Sequence, residues 1–196
     1  MDTFTMDELR PFLLGQGTER IVFRSPKEKD CVIKLSPLNA QKQTRREIRY
    51  FRFLQKKGVP FLHIPQFKGE VKVAGYVGFK QEAVLDADGS VSRPLTAYLE
   101  EGRGVSSGGI LLPETKALLD ELLHYLLRYN VLPCDLTSPN VLLQRGAERM
   151  RLVLIDGVGS MNGIPIAQYI PFLGRQQIKR KWQRFMTRRI DPILKK

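Results

Sequence analysis

Residues 131–143 decide the fold, and they read Val131-Leu132-Pro133-Cys134-Asp135-Leu136-Thr137-Ser138-Pro139-Asn140-Val141-Leu142-Leu143. A short polar loop lies between two apolar runs, which we expect to anchor the loop in a protein core. Asp135 and Asn140 are the chemically useful residues of this loop. A carboxylate can accept a proton and an amide oxygen can bind a hard cation. The alternative interpretation of the same two residues is a turn followed by a helix cap.

The sequence on both sides of this loop predicts a mainly helical region. Residues 152–155 form an apolar run, which predicts a buried strand that ends at Asp156 and Gly157. Before the loop, Pro113 precedes a predicted helix over 114–129. Its apolar stripe consists of Leu118, Leu119, Leu122, Leu123 and Leu126. A last helix over about 176–189 is predicted from a stripe of Ile178, Trp182, Phe185 and Met186.

The earlier part of the chain predicts strands. Residues 12–23 read as a strand, a glycine turn and a strand, and residues 31–35 as a short apolar strand. Two more strand-like runs are predicted within 66–85, on either side of a glycine. Turn-forming residues concentrate in 86–109, and a boundary between two lobes is expected near 84–94.

One helix is predicted among these strands, over 41–57. Its apolar face carries Ile48, Phe51 and Leu54, and Glu47 lies beside that face. Gly58 follows the last turn, as is normal at a helix end.

Positive charge is concentrated in two short segments. The chain of 196 residues has 32 Lys+Arg and 20 Asp+Glu, a net charge of +12. Residues 42–57 carry a net +6 and residues 174–196 a net +8, so the remainder is slightly acidic. Localised charge indicates an anionic partner, and the alternative is a pair of solvated helix faces. No nucleic-acid-binding motif is visible.

Composition favours a cytoplasmic protein. No apolar run approaches the roughly 20 residues of a membrane span, and no secretory signal is visible at the start. Two cysteines cannot form a disulfide scaffold, and two distant histidines do not suggest a zinc site.

Four short patterns occur in a fixed order along the chain. They are Gly15-x-Gly17-x-x-Arg20-x-Val22, then Val32-Ile33-Lys34 followed by the helix with Glu47, then Asp135-Leu136-x-x-x-Asn140, then Ile155-Asp156-Gly157. Over residues 12–160 this order resembles the protein-kinase-like superfamily. Within the superfamily it resembles the small bacterial YrbL family, which is linked by name to the PhoP regulatory network. Each pattern alone is weak, and their order carries the resemblance.

The resemblance implies an α+β, reduced two-lobed protein-kinase-like fold. Residues 1–84 would form a β-rich N-lobe with the glycine loop, the lysine strand and the glutamate helix. Residues 85–196 would form the hinge and a truncated helical C-lobe that ends in the basic helix. Only 40 residues follow Asp156, which is short for a complete helical substrate platform.

The nucleotide-binding roles fall mainly in the N-lobe. Gly15 and Gly17 would let the backbone approach the phosphates of ATP, because glycine has no Cβ. Lys34 would place a positive charge on these phosphates, and Glu47 would orient Lys34 through an ion pair. The resemblance adds Val22 to this set.

The hinge would complete the nucleotide site. There the backbone carbonyl of Glu82 and the amide of Val84 would bind adenine.

The remaining roles fall in the C-lobe. Asp135 would accept the proton of an attacking hydroxyl, and Asn140 and Asp156 would bind Mg²⁺. The sequence therefore predicts an ATP- and Mg²⁺-dependent phosphotransferase with an unidentified acceptor, which is a small molecule, a saccharide or lipopolysaccharide-type compound, or a protein. One alternative is a pseudokinase that binds nucleotide as a regulatory or scaffold protein. The other is a basic module that binds nucleic acid or membrane.

Several positions depart from the kinase pattern. Arg20 replaces the third glycine, Pro133 and Cys134 replace the His-Arg before the catalytic Asp, and Gly157 replaces the usual Phe. Thr137 stands where protein Ser/Thr kinases carry a basic residue. These departures weigh against a peptide acceptor more than against ATP and metal binding.

The basic C-terminal helix has two interpretations. Its apolar stripe packs on the C-lobe in the simpler one, with the charges in water. In the alternative the helix lies on an anionic membrane, with Trp182 and Phe185 at the headgroup boundary and Arg180, Arg184 and Arg188 on lipid phosphates. The expected location is then the cytoplasm, peripheral to the inner face of the membrane.

Overall fold

The computed structural model describes residues 1–17, 19–101, 112–159 and 165–194. The chain forms two compact units. Unit 1 comprises Met1–Phe61 and Pro65–Ala83, and unit 2 comprises Leu62–Ile64 and Val84–Lys196. Unit 1 is rich in strands and unit 2 is mainly helical, which confirms the predicted α+β class.

A six-stranded sheet forms the body of unit 1, in the order β1-β5-β6-β4-β3-β2. Its strands are β1 (Asp2–Thr3), β2 (Leu13–Gln16), β3 (Ile21–Arg24), β4 (Cys31–Pro37), β5 (Phe67–Val73) and β6 (Tyr76–Glu82). Its helices are α1 (Met6–Leu9) and α2 (Lys42–Lys56), with 3₁₀ turns at Arg10–Phe12 and Leu38–Ala40. The strands and the long helix predicted from the sequence are confirmed, whereas β1, α1 and the short 3₁₀ turns carry no periodic signal.

The start of the chain covers one face of this sheet. Phe4 and Leu9 are buried there together with Phe23, Ile33 and Leu35. Alternation along β4 explains the choice of face, because every second side chain of a strand points the same way. Ile33 and Leu35 therefore face the N-terminal segment, and Lys34 and Ser36 between and beside them face α2.

Helix α2 packs on the opposite face through aromatic rings. The Phe51 ring centroid lies 5.5 Å from that of Phe67 and 5.7 Å from that of Phe79. A bulge at Gly69, where φ is +107°, turns Phe67 toward α2 although Val71 faces the other way. These rings fix the height of α2 above the strand that carries Lys34.

Unit 2 consists of helices around a small sheet. The helices are α3 (Leu95–Glu101), α4 (Leu112–Tyr129), α5 (Ile166–Tyr169), α6 (Pro171–Phe185) and α7 (Asp191–Leu194), and a π-helical stretch, Met186–Ile190, joins the last two. The strands β7 (Arg93–Pro94), β8 (Val141–Arg145) and β9 (Met150–Leu154) pair in that order, and a 3₁₀ turn at Ser138–Asn140 precedes β8. Leu122 and Leu126 of α4 and Ile178 of α6 are completely buried in this unit.

His63 belongs to the core of unit 2. Its Nδ1 lies 2.7 Å from the carbonyl oxygen of Leu152, and the imidazole is buried. Burial lowers the pKa of His63, because the charged form loses its hydration there. The residue is therefore neutral and structural.

Two sequence predictions in unit 2 need correction. The stretch 86–109 was characterised only by its concentration of turn residues, but α3 forms within it and buries Leu95, Tyr98 and Leu99. Residues 102–109 lie outside the described residues. The last helix begins at Pro171, earlier than predicted, because a proline is well accommodated in a first helical turn.

The C-terminal helix is packed into unit 2. Trp182 is 9% exposed and Phe185 is 2% exposed, so these two side chains do not face a lipid surface and that version of the membrane alternative is wrong. Within the part of the chain that is described, no helix combines the length and apolarity needed to cross a bilayer.

Candidate active-site residues in the two units

The glycine hairpin of unit 1 is closed by its own backbone. Gly15 pairs with Val22 across β2 and β3, and the amide of Gly17 donates to the carbonyl of Arg20 at 2.8 Å. A Cβ at Gly15 would meet no atom within 4 Å, and one at Gly17 only the Arg20 carbonyl oxygen at 3.7 Å. The hairpin therefore presents its backbone to open space, which is the property that a phosphate group needs.

Lys34 lies on the α2 face of the sheet, in a row with two neighbours. Val22 pairs with Lys34 and Lys34 pairs with Phe79, so the three side chains share one face. Lys34 is 5% exposed, and its Nζ lies 5.9 Å from the centroid of the Phe79 ring. A buried lysine on a central strand is held in position rather than free to sample solvent.

Glu47 also lies at this face, on α2, and its carboxylate is bound by Arg20. Arg20 Nη2 donates to Glu47 Oε2 at 2.7 Å, and both side chains are almost fully buried. The guanidinium carbon lies 6.0 Å from the centroid of the same Phe79 ring that Lys34 approaches. Two cations and one carboxylate therefore share a small volume above Phe79.

Arg20 is a residue of the candidate site whose contact the sequence analysis did not predict. The sequence shows only that position 20 is not the expected glycine. The ion pair joins residues 27 positions apart, and no local pattern predicts it. Arg20 also contacts Thr44 Oγ1 at 3.4 Å, and Thr44 exchanges a 2.7 Å hydrogen bond with Ser36. This buried network ties the glycine hairpin to both α2 and β4.

The predicted hinge residues lie where the chain leaves unit 1. Glu82 is the last residue of β6, and its amide donates to the carbonyl of Gln66 at 2.9 Å. Val84 is the first residue of the following unit 2 segment, and its carbonyl accepts from Ser92 at 3.0 Å. The proposed adenine contacts of Glu82 and Val84 stay predictions.

A buried carboxylate, Asp86, fixes the start of that segment. It accepts hydrogen bonds from Ser92 Oγ at 2.6 Å and from Arg145, through its backbone N at 3.0 Å and its Nε at 2.8 Å. Burial alone would raise the pKa of Asp86, but these donors outweigh it and hold the pKa below its usual range. Asp86 therefore remains ionised and pins the segment to β8.

In unit 2, Asp135 and Asn140 are in contact. Asn140 Nδ2 donates to the backbone carbonyl of Asp135 at 3.1 Å and lies 3.3 Å from its Oδ2. Asp135 is exposed, whereas its neighbours Cys134 and Leu136 are buried. The apolar neighbours anchor the loop, as the sequence predicts, and present the carboxylate to solvent.

Asp156 and Gly157 lie directly against this loop. The carbonyl of Gly157 accepts from the amides of Cys134 at 2.5 Å and Asp135 at 3.1 Å. The amide of Gly157 donates to Asp156 Oδ1 at 2.7 Å, and the amide of Ile155 donates to the carbonyl of Asn140 at 2.9 Å. The predicted catalytic carboxylate and both predicted metal ligands thus belong to one hydrogen-bonded cluster.

Gly157 fits this cluster only as glycine. Its φ is +69°, and a Cβ would lie 2.6 Å from the Cβ and 2.7 Å from the carbonyl oxygen of Asp135. The residue that departs from the usual kinase pattern is therefore required by local packing here.

Lys181 supports the loop from the C-terminal helix. Its Nζ donates to the carbonyl of Cys134, the residue before Asp135. Lys181 is only partly exposed, unlike most basic residues of α6. In the sequence it is one lysine within a basic run, so its separate role is visible only in the folded chain.

The elements and both residue sets occur in the order that the resemblance implies, and they define an α+β protein with a strand-rich first unit and a helical second unit. The chain belongs to the family described as PhoP regulatory network protein YrbL, whose model matches residues 9–189. This match confirms the family predicted from the motifs.

Two relatives and one solved structure illustrate the similarity. The YrbL proteins of Escherichia coli (strain K12) and Shigella flexneri are each 26% identical over 178 residues, which is 89% of this chain and 83% of theirs. The crystal structure of a double mutant of the PknI kinase domain from Mycobacterium tuberculosis matches with a TM-score of 0.45 and 18% identity. That match covers 74% of this chain and 56% of the kinase domain.

Proposed function

We propose that the protein is an ATP- and Mg²⁺-dependent phosphotransferase with a hydroxyl acceptor. The observation that carries this proposal is the cluster of unit 2, in which Asp135, Asn140 and the Asp156–Gly157 turn are joined by short backbone and side-chain hydrogen bonds. Phosphoryl transfer depends on positioning and charge neutralisation more than on covalent chemistry. A rigid set of one carboxylate and two oxygen ligands suits that requirement.

The donor set of unit 2 fits a magnesium ion. Asp156 and Asn140 offer a carboxylate and an amide oxygen, which are the hard ligands that Mg²⁺ prefers. Because Asn140 Nδ2 is directed to Asp135, the amide is oriented with its oxygen as the remaining acceptor. When bound, Mg²⁺ would neutralise charge on the phosphates.

The role of Asp135 follows from its exposure. It is the most accessible carboxylate of the cluster, and its side chain has a single weak donor at 3.3 Å among the contacts described above. Such a carboxylate can approach an incoming hydroxyl and accept its proton. Asn140 would hold Asp135 in one orientation during this step.

The residues of unit 1 supply the nucleotide side of the proposal. The open backbone at Gly15 and Gly17 would receive the phosphates, and the buried ammonium of Lys34 would neutralise them. Val22 lies on the same sheet face as Lys34 and would provide an apolar contact for the base. The proposal requires both residue sets to serve the same nucleotide.

A second candidate is a nucleotide-binding regulatory protein without transfer activity. It is favoured by the Arg20–Glu47 ion pair, because Glu47 is the carboxylate that the kinase pattern assigns to Lys34. The guanidinium of Arg20 is a second cation that competes with Lys34 for the Glu47 carboxylate. Transfer activity separates the two candidates.

The test combines thermal shift with transfer of labelled phosphate from ATP. We expect Mg²⁺-ATP to raise the Tm of the wild-type chain and EDTA to cancel the shift. Lys34→Met and Asp156→Asn should lose the shift, whereas Asp135→Asn should keep it and lose turnover. Lys72→Met and Asp120→Asn are matched controls, because both residues are exposed and lie outside the two residue sets.

The outcomes are distinct. Equal turnover in the wild type and Asp135→Asn contradicts the phosphotransferase proposal. Binding that needs Lys34 and Asp156 but gives no transfer to water, to the chain itself or to added acceptors favours the second candidate. If no nucleotide raises the Tm, both candidate functions are contradicted.

A further inference from the structure

An exposed apolar surface lies at the start of α6 in unit 2. Among the described residues, twelve large apolar side chains are exposed, and five of them fall within residues 166–173. We call these five the apolar tip: Ile166 (48% exposed), Tyr169 (63%), Ile170 (45%), Phe172 (68%) and Leu173 (40%). Exposed apolar side chains scattered singly are normal, but a cluster of this density marks an interaction surface.

The apolar tip is held firmly on unit 2. Asn130, at the end of α4, donates through Nδ2 to the carbonyl of Ala167 at 2.9 Å. Gly174 packs against the same point, since a Cβ there would lie 1.9 Å from Asn130 Oδ1 and 2.6 Å from the Ala167 carbonyl. The tip is therefore presented by a fixed backbone, and its exposure is a property of the fold.

Basic residues continue from the tip along the same helix. Residues 165–190 contain seven Lys or Arg residues and no Asp or Glu. Lys181 supports the Asp135 loop, and the others are exposed. We call four of the exposed basic residues farther along α6 and the π-helical stretch the basic shaft: Lys179, Arg180, Arg184 and Arg188.

Phe172 and most of the shaft lie on the exposed side of α6. With 100° per residue, Phe172, Lys179, Arg180 and Arg184 are each at least about 100° from the buried Ile178 and Phe185 around the helix axis, within an arc of about 140°. The rise of 1.5 Å per residue gives roughly 24 Å from the tip to the end of the shaft. The exposed side thus combines an apolar end with a row of basic residues, and residues 165–190 contain no acid.

We infer that this face docks the protein on an anionic lipid bilayer. An interfacial helix binds membranes through apolar side chains that enter the headgroup region and basic side chains that contact lipid phosphates. The aliphatic members of the tip, Ile166, Ile170 and Leu173, favour lipid over nucleic acid, because nucleic-acid sites pair basic residues with aromatic rings that stack on bases. The inference keeps the arginines of the sequence prediction but replaces its apolar contacts, Trp182 and Phe185, with the apolar tip, and it does not depend on the proposed phosphotransferase activity.

The experiment is co-sedimentation of the full chain with vesicles. We expect binding to phosphatidylcholine vesicles that contain phosphatidylglycerol at about three parts in ten, weakened by salt, and no binding to phosphatidylcholine alone. Tyr169→Ser with Phe172→Ser should weaken binding roughly tenfold or more. Arg180→Gln with Arg184→Gln should weaken it roughly twentyfold. All four side chains are exposed, and circular dichroism checks that the variants fold.

Two matched control variants test whether binding depends on the tip and shaft or only on total charge and exposed apolar area. Arg45→Gln with Arg49→Gln removes the same charge from an exposed face of α2, and Leu38→Ser with Val91→Ser removes exposed apolar side chains elsewhere. Both controls should retain binding within about threefold.

Three results would overturn the inference. The first is an absence of wild-type binding to the anionic vesicles, and the second is an equal loss in a control pair. The third is a wild-type dimer in light scattering that Tyr169→Ser with Phe172→Ser converts to a monomer, since a second copy would then cover the tip.

Discussion

Replacement of Gly157 by alanine is the sharpest test of the cluster around Asp135. The substitution adds one methyl group and changes nothing else in composition. In the folded chain this methyl group would overlap the backbone of Asp135, with distances of 2.6 to 2.9 Å to its Cβ, carbonyl oxygen and amide nitrogen. The carbonyl of Gly157 holds the same loop through two hydrogen bonds, so the loop cannot move away without losing them.

The expected magnitude is the sum of two costs. An L-residue at φ +69° is strained by about 1–2 kcal/mol. Overlap with packed backbone costs a further 1–3 kcal/mol, roughly as in overpacked cores. Gly157→Ala should therefore lower the free energy of unfolding by about 3 kcal/mol, and the displaced loop should abolish the proposed phosphotransfer.

Gly89→Ala is the matched control. Gly89 lies in unit 2 with φ +80°, and a Cβ there would meet no atom within 4 Å. It should therefore cost only the strain, about 1 kcal/mol. Urea unfolding followed by fluorescence of the single tryptophan, Trp182, reports on unit 2 in both variants. A difference between the two variants below about 0.5 kcal/mol would refute the close contact at Asp135.

Three further substitutions test other parts of the structure, each by urea unfolding. Arg20→Gln should lower the free energy of unfolding by about 2 kcal/mol, because Glu47 loses a buried charged donor; no change would contradict the ion pair. Asp86→Asn should lower the free energy of unfolding by about 2 kcal/mol above about pH 4. The pKa of Asp86 is lowered in the folded chain, so the ionised carboxylate stabilises the fold until the pH falls through that pKa. At lower pH the wild type and the variant should therefore be equally stable. The free energy of unfolding of the wild type should also decrease below about pH 6.5, by at most about 1.4 kcal/mol per pH unit. The reason is that His63 binds a proton readily in the unfolded chain but not in the folded chain, where burial lowers its pKa. His63→Gln should remove this pH dependence, and an unchanged pH dependence would contradict a neutral His63.

The sequence predicts the regular elements well where periodicity is strong. The predicted helix over 41–57 forms as α2, and the strand–turn–strand prediction around Gly15 forms as β2 and β3. Both rest on spacings that local structure imposes. Helix α3 was missed because its surroundings are rich in turn residues and its burial depends on tertiary contacts.

The candidate site was predicted only in part. The grouping of Asp135, Asn140 and Asp156 was implied by the family resemblance, and in the folded chain hydrogen bonds join these segments. Arg20 and Lys181 were not predicted in their roles, because each contacts a residue far away in the chain. Charge counts identify such residues only as members of a basic surplus.

The hydrogen bond from Lys181 to the carbonyl of Cys134 has a mechanical consequence. The helix buries side chains along one side, so its position is set by packing within unit 2. Because the Lys181 ammonium binds the carbonyl of the peptide bond that immediately precedes Asp135, a displacement of the helix would be transmitted directly to that peptide bond. The accessible carboxylate and the C-terminal helix are therefore coupled through one side-chain hydrogen bond.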